Sequence, residues 1–189
     1  MWVVVAIFVV ILIVPVFLFN SLVGKKNQVK NVFASTDALL KKRYDLLPNL
    51  VSTVKGYMQH ERGLLEKITQ MRAARQGRLS DDDKVDLDNQ LTKAIAGVML
   101  AVENYPQLKA SENFLHLQRT LNELEEQISA ARRAYNASVT DYNNAVEMFP
   151  TNVMASMINY KQKKWFETAA GERENVDAGR ILRGPNEDD

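Results

Sequence analysis

The sequence MWVVVAIFVVILIVPVFLF, residues 1–19, contains no charged side chain, and its one polar side-chain group is the indole N–H of Trp2. A helix on the surface of a soluble protein carries a polar face, and this stretch has none. At about 1.5 Å per residue, a helix over residues 1–22 is long enough to cross the ~30 Å hydrocarbon core of a bilayer. The sequence therefore predicts a transmembrane anchor over residues 1–22, so the rest of the chain is interpreted as a domain attached to a membrane.

The main alternative for this stretch is a secretory signal peptide that is removed from the mature protein. Signal peptides begin with basic residues and end at a cleavage site with small residues at alternate positions. No basic side chain precedes the apolar stretch, and the segment Asn20–Gly24 that follows it lacks the small-residue pattern. These missing signals favour an anchor that is retained.

The lysines beside the anchor predict its orientation. Lys25, Lys26 and Lys30 follow the apolar stretch closely, and no basic side chain stands before it. Because basic residues are enriched on the cytoplasmic side of membrane helices, we expect the N-terminus outside and the chain from Lys25 onward in the cytoplasm. The same three lysines are then candidates for contact with lipid headgroups.

Beyond the anchor the sequence predicts helices alone. Apolar residues recur at steps of three or four, whereas no segment alternates apolar and polar side chains as a strand would. Turns or prolines separate four such segments, which cover residues 22–76, 81–105, 111–149 and 153–160. Because the connections are short, residues 23–166 are expected to form an all-α antiparallel bundle of about four helices. The polar residues 167–189 are expected to form a flexible tail.

The composition excludes several classes of function. Lys and Arg total 24 and Asp and Glu total 23, so the chain has no net positive field that would attract nucleic acid. Without cysteine it has no thiolate nucleophile, disulfide or Cys-bound metal. His60 precedes Glu61, but a zinc-protease helix needs a second histidine where Leu64 stands, and His116 is alone in its helix. Asp81–Asp83 fit the first turn of a helix better than a cation site. No catalytic residue, metal ligand, cofactor or small-molecule substrate is therefore predicted.

The helix lengths predict a surface for self-association. The first helix after the anchor has roughly 55 residues and spans about 80 Å, whereas the second has about 25 and spans about 37 Å. A second helix of this length cannot cover the first, which leaves Val29, Phe33 and Leu40 near the membrane without a partner in the chain. An uncovered apolar stripe usually marks an interface. We therefore expect a homo-oligomer that forms near the membrane through these three residues, with the anchor as a further candidate contact.

Two further groups of residues attract attention near the helix seams. The tyrosines and asparagines of these groups are expected to form hydrogen bonds between helices and to set their register; the groups are Tyr44-Asp45 with Pro48-Asn49, and Tyr135-Asn136 with Tyr142-Asn143. We also expect the first helix to kink at Pro48, with Tyr44 facing Tyr135.

The segment that follows the fourth helix has two interpretations. Lys163 and Lys164 stand directly before Trp165 and Phe166. Such a combination suits contact with lipid headgroups, for which Lys163, Lys164 and Trp165 are the candidates, and it equally suits aromatic rings that pack back on the bundle. The sequence alone leaves both interpretations open.

Four motifs occur in a fixed order along the part of the chain after the anchor. They are KKRYDLLPNLV at residues 41–51, ENYPQLKA at 103–110, RRAYN at 132–136 and FP at 149–150. Together they resemble the LemA family, and the resemblance covers about residues 29–166. It implies a bacterial single-pass membrane protein with a short extracytoplasmic N-terminus and a cytoplasmic antiparallel helical bundle. It implies no reaction, although proteins of this family are associated with a membrane-bound zinc metalloprotease, with TPM-domain proteins and, in one branch, with the shaping of magnetosome membranes.

The function that the sequence favours is a non-enzymatic, membrane-anchored helical scaffold or adaptor at the cytoplasmic face of a bacterial inner membrane. Its expected partners are the lipid bilayer, further copies of the chain, and other membrane or cytoplasmic proteins. The alternatives are a membrane-organising or membrane-shaping oligomer and a regulator of a membrane-bound protease.

Overall fold

The structure, a computed structural model, describes residues 1–167 apart from the side chain of Val10. Within this part the chain contains helices and no strand, which confirms the all-α prediction. The helices are α1 (Trp2–Lys55), α2 (Arg62–Arg75), α3 (Asp81–Val102), α4 (Pro106–Lys109), α5 (Glu112–Glu147) and α6 (Thr151–Met157), with a 3-10 turn at Gln59–Glu61. The flexible tail predicted for residues 167–189 lies outside the described residues from residue 168 onward.

Two contacts define how α1 and α5 pair. The ring centroids of Phe33 and Tyr135 are 5.5 Å apart, and Arg43 Nη2 lies 2.9 Å from Glu125 Oε2. Moving ten residues forward along α1, from Phe33 to Arg43, therefore moves ten residues backward along α5, from Tyr135 to Glu125. The two helices are antiparallel, and the register gives the level on α1 that each residue of α5 occupies.

The helix predicted over residues 22–76 is interrupted, and this corrects the sequence-based boundary. α1 ends at Lys55, and Met58 leaves helical geometry with φ −96° and ψ 59°. Gly56 lowers helix propensity at this point. When the chain folds back, it also gains the free energy of burying apolar side chains. The reversal lets α2 pack its apolar side chains into the core that α1 lines, and these buried side chains are Leu65, Ile68 and Met71.

The expectation that Tyr44 faces Tyr135 is wrong. Tyr44 belongs to the core at the far end of the bundle, whereas Tyr135 packs on Phe33. The antiparallel register separates the two tyrosines by eleven residues of α1 (Phe33 to Tyr44), or about 16 Å along the helix. Pro48 lies inside α1 and does not end it.

The prediction that Val29, Phe33 and Leu40 lack a partner within the chain is also wrong. Their exposed fractions are 1%, 4% and 0%. They belong to a core in which α1 packs against α3 and α5. α5 has 36 residues and so spans about 54 Å, which matches the part of α1 from Leu22 to Lys55 at about 50 Å. The helix that covers this stripe is therefore α5, and not the shorter second helix of the sequence-based argument.

Candidate functional site

The apolar anchor and the bundle share one uninterrupted helix. Within the described residues, α1 is the one helix long and apolar enough to cross a membrane. Its large apolar side chains are exposed through Phe19, and burial begins at Leu22, which is completely covered. The helix continues without a break between these two points.

The bundle closes around the base of α1 at Leu22. This side chain forms a small core with Ala145 of α5 and Ala155 of α6. After α6 the chain reverses at Asn159, whose φ of 55° is a left-handed conformation that asparagine tolerates better than most residues. The Tyr160 N–H donates to the Ala155 carbonyl over 2.9 Å and completes this reversal. The chain then runs back along the bundle, away from the anchor.

Residues 161–167, which we call the strap, are extended and are held by two asparagines of α5. The Asn143 amide donates to the Lys163 carbonyl at 2.9 Å and accepts from the Lys163 N–H at 2.9 Å. Asn136 forms the same pair of bonds with Phe166, at 3.0 and 2.9 Å. The seven-residue step from Asn136 to Asn143 rises about 10.5 Å along α5, and the three-residue step from Lys163 to Phe166 spans about 10 Å along an extended chain. The spacing of the two asparagines therefore matches the spacing of the residues that they bind. The strap is docked as a strand would be, with side-chain amides in place of a neighbouring strand.

The tyrosines that precede these asparagines complete the docking. The Tyr142 hydroxyl donates to the Lys161 carbonyl at 3.0 Å, and burial raises the pKa of this tyrosine. Tyr135 packs edge-on against Phe166, with 5.1 Å between the ring centroids, and burial raises its pKa as well. The Tyr-Asn pairs thus join a helix to the strap, which corrects the expectation that they join one helix to another. The sequence left packing of this segment on the bundle as one of two interpretations, and it did not indicate the asparagines of α5 as its partners because the strap has no periodic pattern.

The strap places its basic residues beside the start of α3. Lys163 Nζ lies 4.0 Å from Asp81 Oδ2, and Lys164 Nζ lies 2.5 Å from Asp86 Oδ2. The hydrogen bond to Asp86 is the main cause that raises the pKa of Lys164. The Trp165 indole donates to Thr140 Oγ1 at 3.2 Å and stays half exposed. This geometry corresponds to the packing interpretation, and contact of Lys163, Lys164 and Trp165 with headgroups stays a prediction.

The start of α3 is itself well capped. Ser80 is the N-cap and forms a capping box with Asp83. The Ser80 hydroxyl and backbone N–H both donate to the Asp83 carboxylate, which lowers the pKa of Asp83. The acidic first turn is therefore explained by capping and by the helix dipole.

The three lysines after the anchor lie at the same end of the bundle. Lys26 and Lys30 are exposed, and Lys25 is half buried. Lys26 Nζ lies 4.1 Å from the centroid of the Tyr160 ring, where a cation is attracted to the face of the aromatic ring. These side chains begin three residues beyond Leu22, or about 4.5 Å further along α1. Their contact with lipid headgroups remains a prediction that this position supports.

A buried charge network that the sequence analysis missed ties three helices together. Arg132 Nη2 of α5 lies 2.5 Å from Asp88 Oδ2 of α3, and Arg43 Nη1 of α1 lies 3.5 Å from Asp88 Oδ1. Glu125 contacts both arginines, at 2.9 and 3.3 Å, and both donate to Thr92 Oγ1, at 3.0 and 2.7 Å. Two positive and two negative charges therefore balance in the middle of the bundle.

The sequence does carry a signal for this network. Asp88 stands three residues after Val85 and three before Leu91, on the buried stripe of α3. Arg43 and Arg132 occupy the same kind of seam position in α1 and α5. Charged residues at seam spacing predict paired burial, because an isolated buried charge is very costly. Burial raises the pKa of the neighbouring Tyr44, and the charge of Asp88 raises it further, whereas Arg43 and Arg132 act in the opposite direction.

The described residues contain no group of three or more His, Asp and Glu side chains placed to hold a metal ion. His60 and His116 are both exposed. A cleft of about 720 Å³ lies at the far end of the bundle, between the end of α1 and α2. Its lining includes Lys55, Arg62 and Glu66 beside apolar side chains.

Comparison with known proteins gives matches of two kinds. A model of the LemA family matches residues 32–178. Protein LemA of Metamycoplasma hominis is 30% identical over 167 residues, which cover 86% of this chain and 74% of that protein. Magnetosome protein MamQ 2 of Paramagnetospirillum magneticum is 29% identical over 80 residues, which cover 42% of this chain and 29% of that protein. Magnetosome protein MamQ of Magnetospirillum gryphiswaldense is 29% identical over 86 residues, which cover 45% and 32%.

The buried network predicts a strong dependence of stability on Asp88. Asp88→Asn keeps the shape of the side chain and leaves two buried arginines with one carboxylate, so we expect the free energy of unfolding to fall by about 3–5 kcal/mol. Asp45→Asn is the matched control, because Asp45 forms an exposed pair with Lys41, and it should change that free energy by less than about 1 kcal/mol. Denaturant unfolding of the full chain in detergent, followed by circular dichroism, measures both. Equal effects of the two variants would contradict this account of the network.

The docking of the strap predicts a local effect at Asn143. Asn143→Ala removes both hydrogen bonds to Lys163, so hydrogen exchange at the Lys163 amide should become faster by about tenfold or more. Asn144→Ala is the neighbouring control, since Asn144 is exposed on the same helix, and it should leave that rate unchanged. Hydrogen exchange with mass spectrometry on the strap peptide gives the comparison. Unchanged exchange in Asn143→Ala would mean that the strap is held by other contacts.

Proposed function

Because the chain belongs to the LemA family, we propose that it is a membrane-anchored helical adaptor without enzymatic activity, which stands on the cytoplasmic face of a bacterial inner membrane. The observation that carries this proposal is the change along α1 from exposed apolar side chains up to Phe19 to complete burial at Leu22. A single continuous helix of this kind is suited to hold a folded domain at a membrane.

The proposed orientation is supported by Lys25, Lys26 and Lys30, which come directly after the anchor. The bundle then extends about 50 Å from Leu22 to Lys55. Its far end carries the cleft beside Lys55 and Arg62, and we assign the contact with other proteins to this end. A rod of this length would hold a partner about 50 Å from the point where the anchor ends.

The sidedness of the anchor tests this proposal. The chain has no cysteine, so Trp2→Cys and Lys67→Cys each introduce a unique reporter, at the outer end of the anchor and at an exposed position of α2. A membrane-impermeant maleimide added to intact spheroplasts should label Trp2→Cys and should label Lys67→Cys only after lysis. Labelling of Lys67→Cys in intact spheroplasts would reverse the orientation. Absence of the Trp2→Cys reporter from the mature chain would show that the stretch is a removed signal peptide.

A second candidate is a membrane-organising oligomer, and it is supported by the similarity to the magnetosome proteins MamQ. In this candidate the copies meet through their anchors, since Val29, Phe33 and Leu40 are covered by α5. Reconstitution of the full chain into liposomes at increasing protein density distinguishes the candidates. The adaptor should leave the vesicles spherical in electron cryo-microscopy, as protein-free vesicles are, whereas the organising oligomer should draw them into tubules or buds.

A further inference from the structure

An apolar corner lies where α5 passes into α6. Its members are Met148, Phe149, Val153 and Met157, with exposed fractions of 62%, 82%, 54% and 77%. Beyond the anchor, the other large apolar side chains that are exposed in the described residues lie on separate elements, and they are Tyr57, Leu100, Leu115 and Trp165. Single exposed apolar residues are ordinary on a protein surface, whereas four within ten residues need an explanation.

The corner is exposed because α6 buries its opposite side. Val153 and Met157 are four residues apart and so share one face of the helix. Ala155 is two residues from each of them, points the other way and is buried with Leu22. α6 is thus attached to the base of α1 through Ala155, with Met154 partly buried against the same core. It directs Val153 and Met157 away from the bundle.

The register between α1 and α5 gives the level of this corner. Phe33 is opposite Tyr135 and Leu22 shares a core with Ala145, so Phe149 lies at about the level of Phe19. Tyr160 is back at the level of Lys26, whose ammonium group lies over its ring. α6 therefore occupies levels between about Phe19 and Lys26 of α1, where the apolar anchor gives way to lysines.

We propose that the apolar corner enters the membrane beside the anchor and contacts lipid acyl chains at the headgroup boundary. This inference rests on the proposed membrane anchoring. It favours lipid over a second copy because the exposed apolar surface of the corner continues that of the anchor at the same level. Lys26 and Lys161, which are exposed just beyond it, suit the anionic phosphates above the acyl chains. Glu147, at the end of α5, is hydrogen bonded to Gln162 of the strap.

A second contact with the membrane would restrict the rotation of the bundle, which the anchor helix alone does not. One membrane helix can tilt and rotate, because its tilt is set by neighbouring helices and by anchoring side chains at the interface. The corner lies to one side of α1 and is joined to it through Leu22, Ala145 and Ala155. Insertion at this point therefore selects one rotation of the bundle about α1 and fixes which side of the rod lies toward the membrane.

The test uses the full chain in vesicles of phosphatidylethanolamine and phosphatidylglycerol, with some phosphatidylcholine that carries a nitroxide at the top of its acyl chain. Phe149→Cys and Met157→Cys are labelled with an environment-sensitive fluorophore, and Leu100→Cys, exposed at 75% on α3, is the control outside the corner. Phe17→Cys reports on the anchor itself. None of these side chains is buried, so the helical circular dichroism signal should be the same in all variants.

We expect the lipid nitroxide to quench the label at Phe149→Cys and Met157→Cys at least about threefold more strongly than at Leu100→Cys, with weaker quenching by aqueous iodide. Equal lipid and iodide quenching at the corner and at Leu100→Cys, with Phe17→Cys still quenched by lipid, would overturn this inference alone. Absence of lipid quenching at Phe17→Cys as well would overturn the proposed anchoring. Self-quenching at Phe149→Cys that rises with protein density, without lipid quenching, would assign the corner to a second copy and overturn the inference.

Discussion

The antiparallel pairing of α1 with α5 is the constraint on which the rest of the structure depends. Phe33 against Tyr135 and Arg43 beside Glu125 set one register over most of the length of both helices. The pairing covers the stripe nearest the membrane, brings Arg132 to Asp88 and places the asparagines of α5 under the strap. A slip of either helix by one turn would separate all of these partners together, so the register is specified by many contacts at once.

The buried charges make that register selective. Asp88, Arg43 and Arg132 are nearly excluded from water, and each is paired across helices. Replacement of such pairs by apolar residues is often neutral in stability, so their value lies in the penalty for misalignment. An alternative packing of the same apolar stripes would leave unpaired charges in the core. The aromatic contacts and the hydrogen bonds to the strap then stabilise the arrangement that the charges select.

At the membrane-proximal end, the buried core around Leu22 lies beside exposed lysines and exposed apolar side chains. Leu22 packs against alanines of α5 and α6, so the bundle is attached to α1 at the point where the anchor ends. Lysines, a strap held by side-chain amides and an apolar corner surround this point within a few turns of helix. A domain that only needed a tether would require none of these features. Their concentration here is consistent with a protein whose orientation on the membrane matters to its role.

Local patterns account for what sequence reasoning predicted correctly. Charge-free apolar length predicts a helix long and apolar enough to cross a membrane, and steps of three or four predict the other helices, because both depend on residues close together in the chain. The break after Lys55 was missed because Val54, Met58 and Leu65 keep nearly helical spacing across it, and only the gain from packing α2 on α1 decides that the chain turns back.

The sequence by itself determined the helical class, the apolar N-terminal helix and the seam residues of this protein, since these follow from the pattern of neighbouring side chains. Only the tertiary structure decided that α5 covers Val29, Phe33 and Leu40, and that Asn136 and Asn143 hold the strap. The physical reason is that partners far apart in the chain are selected by helix length, by register and by the balance of buried charge, and none of these can be read from a local pattern.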